Sequence, residues 1–251
     1  MLYGFDKLNG LPIEATDGEV GKVKDIYFDD YRWTVRYLVV ETGSWLAGRK
    51  VLISPISVKR IDCERKAAQL GLTQQQVLAS PDIDTDKPVS RQHERDFFNY
   101  YGYPYYWSGP GLWGTASYPV SPAGFLPPRT NSPGPHGEAS TDSHLRSVQE
   151  VTGYRLQATD GSIGHVKDFL LDSVSWAIRY LVIDTRNWLP SRHVVIPPQW
   201  IKNVDWSERV VNLDVPRDAV RAAPEFVSSV EFSRAHEANP YQHHHRESYW
   251  Q

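Results

Sequence analysis

The sequence is short of the features that mark several protein classes. Its only cysteine is Cys63, which excludes an intramolecular disulfide and a cysteine-based metal cluster. No window approaches the roughly 18 apolar residues that a membrane helix requires. The opening Met1-Leu2-Tyr3-Gly4-Phe5-Asp6-Lys7 lacks a basic stretch followed by an apolar run, so no secretory signal is read there. There is no Lys/Arg block, and a formal net charge of -3 offers little of the basic surface that nucleic-acid binders display. A Gly-rich phosphate loop, a Gly-x-Ser-x-Gly elbow and a cysteine nucleophile are also missing. These absences argue against an enzyme, imply no cofactor, and make the cytosol of a microbe the expected location.

What is present is a duplication. With 40 % hydrophobic and 23 % charged residues over 251 positions, the chain is globular and long enough for two small cores. Thr16-Asp17-Gly18-Glu19-Val20-Gly21-Lys22-Val23-Lys24-Asp25 returns as Thr159-Asp160-Gly161-Ser162-Ile163-Gly164-His165-Val166-Lys167-Asp168. Trp33 and Arg36 to Val40 return as Trp176 and Arg179 to Ile183. An offset of about 143 residues aligns 11–94 with 154–237 without a gap, and about half of the central forty positions are identical.

Within each copy the apolar period is two. Val20, Val23, Ile26 and Phe28, then Val35, Tyr37 and Val39, then Val51 and Ile53, alternate with polar residues, which predicts half-buried strands. Asp17-Gly18 and Asp160-Gly161 supply turns. Five or six short strands in some sixty residues read as a small antiparallel barrel or sandwich. Thr73 and Gln76 form a capping box for a helix that Pro81 stops, and Pro216 opens its counterpart. A second helix is predicted from Ser90 to about Tyr100, ending at Gly102, with a shorter counterpart from Ser233. The predicted organisation is 1–101 for the first barrel and its helical arm, 102–147 for a Pro/Gly/aromatic linker, 148–238 for the second barrel and arm, and 239–251 for a tail.

The Gly-x-x-Gly-x-Val-x-Asp pair of strands, followed by a Trp and an Arg-Tyr-Leu-Val-Val strand, resembles the PRC-barrel family, over about 8–80 and again over 151–224. That family includes the cytoplasmic domain of the photosynthetic reaction-centre H subunit and the C-terminal domain of the RimM ribosome-maturation factor. With the acidic-Pro arm Ser80-Pro81-Asp82 through Ser90-Arg91 and the ending Tyr100-Tyr101-Gly102-Tyr103-Pro104, the sequence more closely resembles bacterial tandem PRC-barrel proteins, for which no catalytic residues are established. The resemblance implies a mainly β fold of two small barrels and no transferable active site. No counterpart of the H subunit's membrane helix or of RimM's N-terminal domain is read in these residues, so neither function is expected to transfer.

Several constellations have a plainer reading beside the functional one. Asp82, Asp84 and Asp86 have the alternate spacing with which a calcium loop begins, but Lys87 stands where the loop needs glycine and His93 where it needs glutamate. A solvated acidic loop is the expected reading and a cation site the rival. His93-Glu94 and His236-Glu237 are expected to be helix-surface residues in local ion pairs. Arg36 and Arg179 are expected to pair with Asp25 and Asp168. Trp33 and Trp176 are read as packing residues, while Trp45-Leu46 and Trp188-Leu189 in loops are candidates for partner contact. Tyr103, Tyr105, Tyr106, Trp107 and Trp113 are too aromatic for a solvated spacer and are expected to pack on a barrel or a partner. His243-His244-His245 reads as a polar tail.

The expected function is therefore a non-catalytic binding or scaffold module for protein association in the cytosol, in a stress- or envelope-related assembly. Its contact surface would be the linker aromatics and acidic arms. The alternatives are an RNA- or ribosome-associated factor and a metal- or small-molecule-dependent enzyme. The two copies are expected to pair about an internal pseudo-twofold axis.

Overall fold

A computed structural model describes residues 2–43, 48–62, 66–82, 88–120, 144–185 and 192–226. In chain order the first repeat contains β1 (Leu2–Gly4), α1 (Phe5–Leu8), β2 (Pro12–Glu14), β3 (Glu19–Asp29), β4 (Thr34–Thr42), β5 (Lys50–Ile53), β6 (Val58–Asp62) and β7 (Ala67–Leu70), then α2 (Gln74–Leu78) and α3 (Arg91–Tyr101). The second contains β8 (Leu145–Ser147), α4 (Val148–Val151), β9 (Arg155–Ala158), β10 (Gly161–Asp172), β11 (Ile178–Asp184), β12 (His193–Ile196), β13 (Ile201–Asp205), β14 (Val210–Leu213) and α5 (Arg217–Ala222). The molecule is mainly β, with two seven-stranded sheets of one topology. The orders are β5-β4-β3-β2-β7-β6 and β12-β11-β10-β9-β14-β13.

The seventh strand of each sheet comes from the other repeat. β8 pairs with β3, and β1 pairs with β10. Accordingly, one compact unit comprises Lys7–Ser147 with Val174–Ala177, and the other comprises Met1–Asp6, Val148–Ser173 and Ile178–Gln251. The linker expected over 102–147 is thus not uniform. Residues 102–120 fold within the first of these units, 121–143 lie outside the described residues, and 145–147 form a strand.

The repeated motif accounts for the centre of each sheet. Val20, Val23, Ile26 and Phe28 on β3 are fully buried, with register shifts between Val23 and Asp25 and between Tyr27 and Phe28 where strict alternation fails, and β4 is buried on both faces over Thr34–Val40 rather than half-buried as expected. Gly21 faces the backbone of β4, where an added Cβ would collide with the Glu41 carbonyl oxygen; Gly164 meets Asp184 in the same way. Both glycines therefore serve a close approach of two strands, at points where the ladder to the preceding strand shifts register.

The turn aspartates have a second task. Asp17 Oδ1 accepts the backbone N–H of Gln74 at 2.7 Å, and Asp160 Oδ1 accepts that of Arg217 at 2.7 Å. Each hairpin tip thereby satisfies an otherwise orphaned donor at the start of the following helix. In α2 this adds to the Thr73–Gln76 capping box, while Pro216 brings no capping side chain to α5. Ser90 caps α3 and Gly102, at φ 68°, ends it in the left-handed conformation. Among the described residues, no helix is long and apolar enough to cross a membrane.

Candidate partner-binding site

β4 brings Arg36 and Tyr37 into the interior of the first repeat's unit, both with 0 % exposure. A buried guanidinium must be paired and hydrogen-bonded. Its carboxylate partner is Asp29 at the end of β3, 3.0 Å away, instead of the Asp25 expected from strand alternation. Arg36 also donates to the Leu112 carbonyl at 2.6 Å. Its guanidinium lies 3.8 Å from the centre of the Tyr106 ring and 4.9 Å from that of Trp113. Burial pulls the Arg36 pKa down, while the Tyr106 hydroxyl and the Asp29 carboxylate oppose that fall. In the second repeat Arg179 likewise pairs with Asp172, at 3.3 Å.

Tyr37 connects this pair to α3. Its hydroxyl donates to Glu94 Oε2 at 3.2 Å, and the Tyr106 hydroxyl donates to the same oxygen at 2.6 Å. Arg91, one helical turn before Glu94, lies 2.9 Å from Oε1 and donates to the Tyr106 hydroxyl at 3.0 Å. Glu94 is therefore a core residue with 2 % exposure, not the helix-surface residue expected. Burial raises its pKa, against the lowering effects of Arg91 and the two hydroxyls. The same burial, with Glu94 alongside, raises Tyr37 and Tyr106 well above the usual phenol. Phe97 and Phe98 complete the apolar side, with ring centres 5.2 and 6.3 Å from Tyr37.

After Gly102 the chain forms a strap across these groups. Arg32 donates to the carbonyls of Gly109, at 2.8 Å, of Gly111, and of Tyr106, at 3.3 Å. Trp113 Nε1 donates to the Ser175 carbonyl at 2.8 Å, within the same unit. Arg32 and Arg36 thus satisfy carbonyls of a half-buried strap and tie it to the hairpin. Tyr106 and Trp113 are 2 % and 4 % exposed and are spent on internal packing.

The other strap aromatics remain half-buried. Tyr103 hydrogen-bonds Ser57 at 2.7 Å and Tyr105 donates to Asn99 at 2.7 Å. The rings of Tyr105 and Trp107 stack with centres 4.7 Å apart, and the Arg91 guanidinium lies 4.4 Å from the Trp107 ring centre. Tyr103, Tyr105 and Trp107 therefore form a pre-positioned aromatic ledge whose members are partly open to solvent.

The remaining candidates are more dispersed. Asp82 is tied to Arg49 at 2.8 Å, and the repeat-equivalent pair Arg192–Glu225 stands at 3.5 Å. Asp84 and Asp86, like Trp45, Leu46, Trp188, Leu189, His236-Glu237 and the histidine tail, lie outside the described residues. Among the described residues no group of three or more His, Cys, Asp or Glu is placed to hold a metal ion. Trp33 and Trp176 both adopt positive φ, at 49° and 59°, with Trp33 stacked on Phe28 at 5.3 Å and Trp176 buried. The Asp29–Arg36 pair escaped sequence reasoning, although its seven-residue separation recurs as Asp172–Arg179.

The first repeat thus joins a six-strand path carrying the Gly-x-x-Gly-x-Val-x-Asp hairpin to a strap that uses the Arg of the following strand. Residues 2–69 match the PRC-barrel domain. The match begins with β1, which the fold places in the other repeat's sheet, and ends within β7. It leaves α3 and the aromatic strap outside the PRC-barrel domain proper. No curated protein matches the chain.

Proposed function

We propose that the chain is a tandem PRC-barrel binding or scaffold module without catalytic activity, which mediates protein association in the cytosol through the aromatic ledge beside α3. The PRC-barrel match over 2–69 and the shared topology of the two sheets support the tandem reading. The observation that carries the binding site is the Tyr105–Trp107 stack on Arg91. Aromatic residues and arginine are the side chains enriched at the energetic centres of interfaces, and rings already held in place lose little entropy on association.

The first repeat's ion pairs, buried at Arg36, Asp29 and Glu94 and half-buried at Arg91, support a scaffolding role. Arg36, Asp29, Arg91 and Glu94 neutralise one another and brace the strap. The Tyr103, Tyr105 and Trp107 edges are then the groups left to meet a partner.

Co-purification from the native cell compares the wild-type chain with Tyr105→Ala/Trp107→Ala, with circular dichroism and the unfolding midpoint as fold controls. Loss of a partner that the wild type retains, with the fold intact, is the expected result. An unchanged set of bound proteins would sink the assignment.

A further inference from the structure

The two places where a short strand joins the other repeat's sheet share one register and differ in chemistry. β1 sets Leu2, Tyr3 and Gly4 opposite Asp172, Leu171 and Leu170. β8 sets Leu145, Arg146 and Ser147 opposite the equivalent Asp29, Phe28 and Tyr27. Each short strand brings apolar anchors. Leu2 packs against the buried cluster of Leu170, Tyr180, Val182 and Val195, and Phe5 is 6 % exposed. In the other case Leu145 and Val148 occupy the equivalent positions and are buried.

The third residue of each short strand meets the aspartate that closes the Gly-x-x-Gly-x-Val-x-Asp motif. Asp25 accepts the Ser147 hydroxyl at 2.5 Å. Asp168 instead stands against Gly4, where a Cβ would lie 2.6 Å from its carboxylate oxygen, and it also accepts the backbone N–H groups of Phe5 and Asp6. A three-residue strand makes few ladder bonds, and those bonds are blind to side-chain identity. Discrimination between the two acceptors must therefore come from the anchors and from these aspartates. A side chain at position 4 would have to displace the Asp168 carboxylate, and a glycine at 147 would deprive Asp25 of the hydroxyl it accepts.

We propose that Asp168 and the adjoining edge of β10 form a strand-acceptor site for a segment of pattern apolar-x-Gly-Phe, extended over its first three residues and filled here by the chain's own Leu2–Phe5. The contrast between Gly4 on Asp168 and Ser147 on Asp25 directs each short strand to its acceptor. The motif aspartate is then a docking residue for an incoming strand, whereas the motif glycine before it serves strand approach. This assignment is independent of the aromatic ledge and stands or falls separately from it.

The test uses the full chain carrying Gly4→Val, with hydrogen exchange followed at the amides of residues 2–6. Two amidated peptides serve as probes in fluorescence anisotropy: Met-Leu-Tyr-Gly-Phe-Asp and the same peptide with valine for glycine. In the variant, exchange at residues 3–6 should be at least tenfold faster than in the wild type, with β3–β5 unchanged. The glycine peptide should bind the variant at least tenfold more tightly than the valine peptide, and should not bind the wild type, whose site is filled. Unchanged protection of residues 2–6, or equal binding of the two peptides, would overturn the proposal. If Gly4→Val prevents folding, Asp168→Ala in the otherwise unchanged chain removes the docking carboxylate instead. Exchange at residues 3–6 at least tenfold faster, with β3–β5 unchanged, then supports the site, and unchanged protection rejects it.

Discussion

The Arg36 guanidinium lies 3.8 Å from the centre of the Tyr106 ring, and neither side chain is open to solvent beyond a trace. The contact joins the central hairpin to a segment seventy residues later and carries Asp29, Leu112, Trp113 and, through Tyr106, Glu94 with it. Covering a charge in this way is stabilising only while all its partners are present.

Arg36→Ala should therefore be among the most damaging single substitutions in the first repeat. It leaves the Asp29 carboxylate and the Leu112 carbonyl without this donor, a change that costs about 3–5 kcal/mol in buried ion pairs. Urea unfolding of the variant measures it. A loss below about 1 kcal/mol would show that the pair is relieved by solvent or by strap movement.

Asp168 predicts a pH effect. Burial, aided by the nearby Asp6 charge, raises its pKa from 3.8 to about 6, although several backbone N–H groups oppose the rise. The folded value lies above the unfolded one, so its contribution is complete below the ordinary carboxylate range and is lost as pH rises through about 6. On that shift the loss is on the order of 2–3 kcal/mol. Asp168→Asn should be free of it, so the stability difference between wild type and variant should change between acidic and neutral pH. Parallel denaturant titrations at both ends of the window give the answer, and a constant difference would contradict the prediction.

Gly21→Ala and Gly164→Ala should each be far worse than Gly10→Ala. At Gly10, with φ 79°, an added methyl group meets nothing within 4 Å, so only the left-handed backbone resists it, at about 1–2 kcal/mol. At Gly21 and Gly164 the methyl group drives into the carbonyl of the neighbouring strand. Soluble yield and melting temperature should fall in that order.

Asp17→Ala and Asp160→Ala remove the distal caps of α2 and α5. Each should cost about 1 kcal/mol, with faster amide exchange concentrated at Gln74 and Arg217. Equal protection of those two amides in variant and wild type would mean that water replaces the carboxylate without loss.

Much of the local structure is legible in the sequence. The run of β-branched and aromatic residues Val20, Val23, Ile26 and Phe28 among polar ones located β3, the Thr73–Gln76 spacing located the start of α2, and Ser90 with Gly102 bracketed α3. The site was less so. The sequence marks Tyr103, Tyr105, Tyr106, Trp107 and Trp113 alike as packing on a barrel or a partner, and which of them faces inward depends on where Arg32 and Arg36 can reach the strap carbonyls. Glu94 read as a surface residue because a carboxylate in an eleven-residue helix ordinarily is one, and only two tyrosine hydroxyls and Arg91 make its burial tolerable.

The sequence by itself determined the duplication, the strand periodicity, the turns and the helix ends, because each depends on residues a few positions apart in the chain. Tertiary structure decided the rest. It chose Asp29 over Asp25 for Arg36, gave Gly21 and Gly164 to strand contact, set Asp17 and Asp160 as distant helix caps, and moved Leu2–Gly4 and Leu145–Ser147 to the opposite repeats. The physical reason is common to all of these. A buried charge, an unfilled donor or a bare strand edge is satisfied by whichever group lies within about 3 Å in space, and separation along the chain does not constrain that choice.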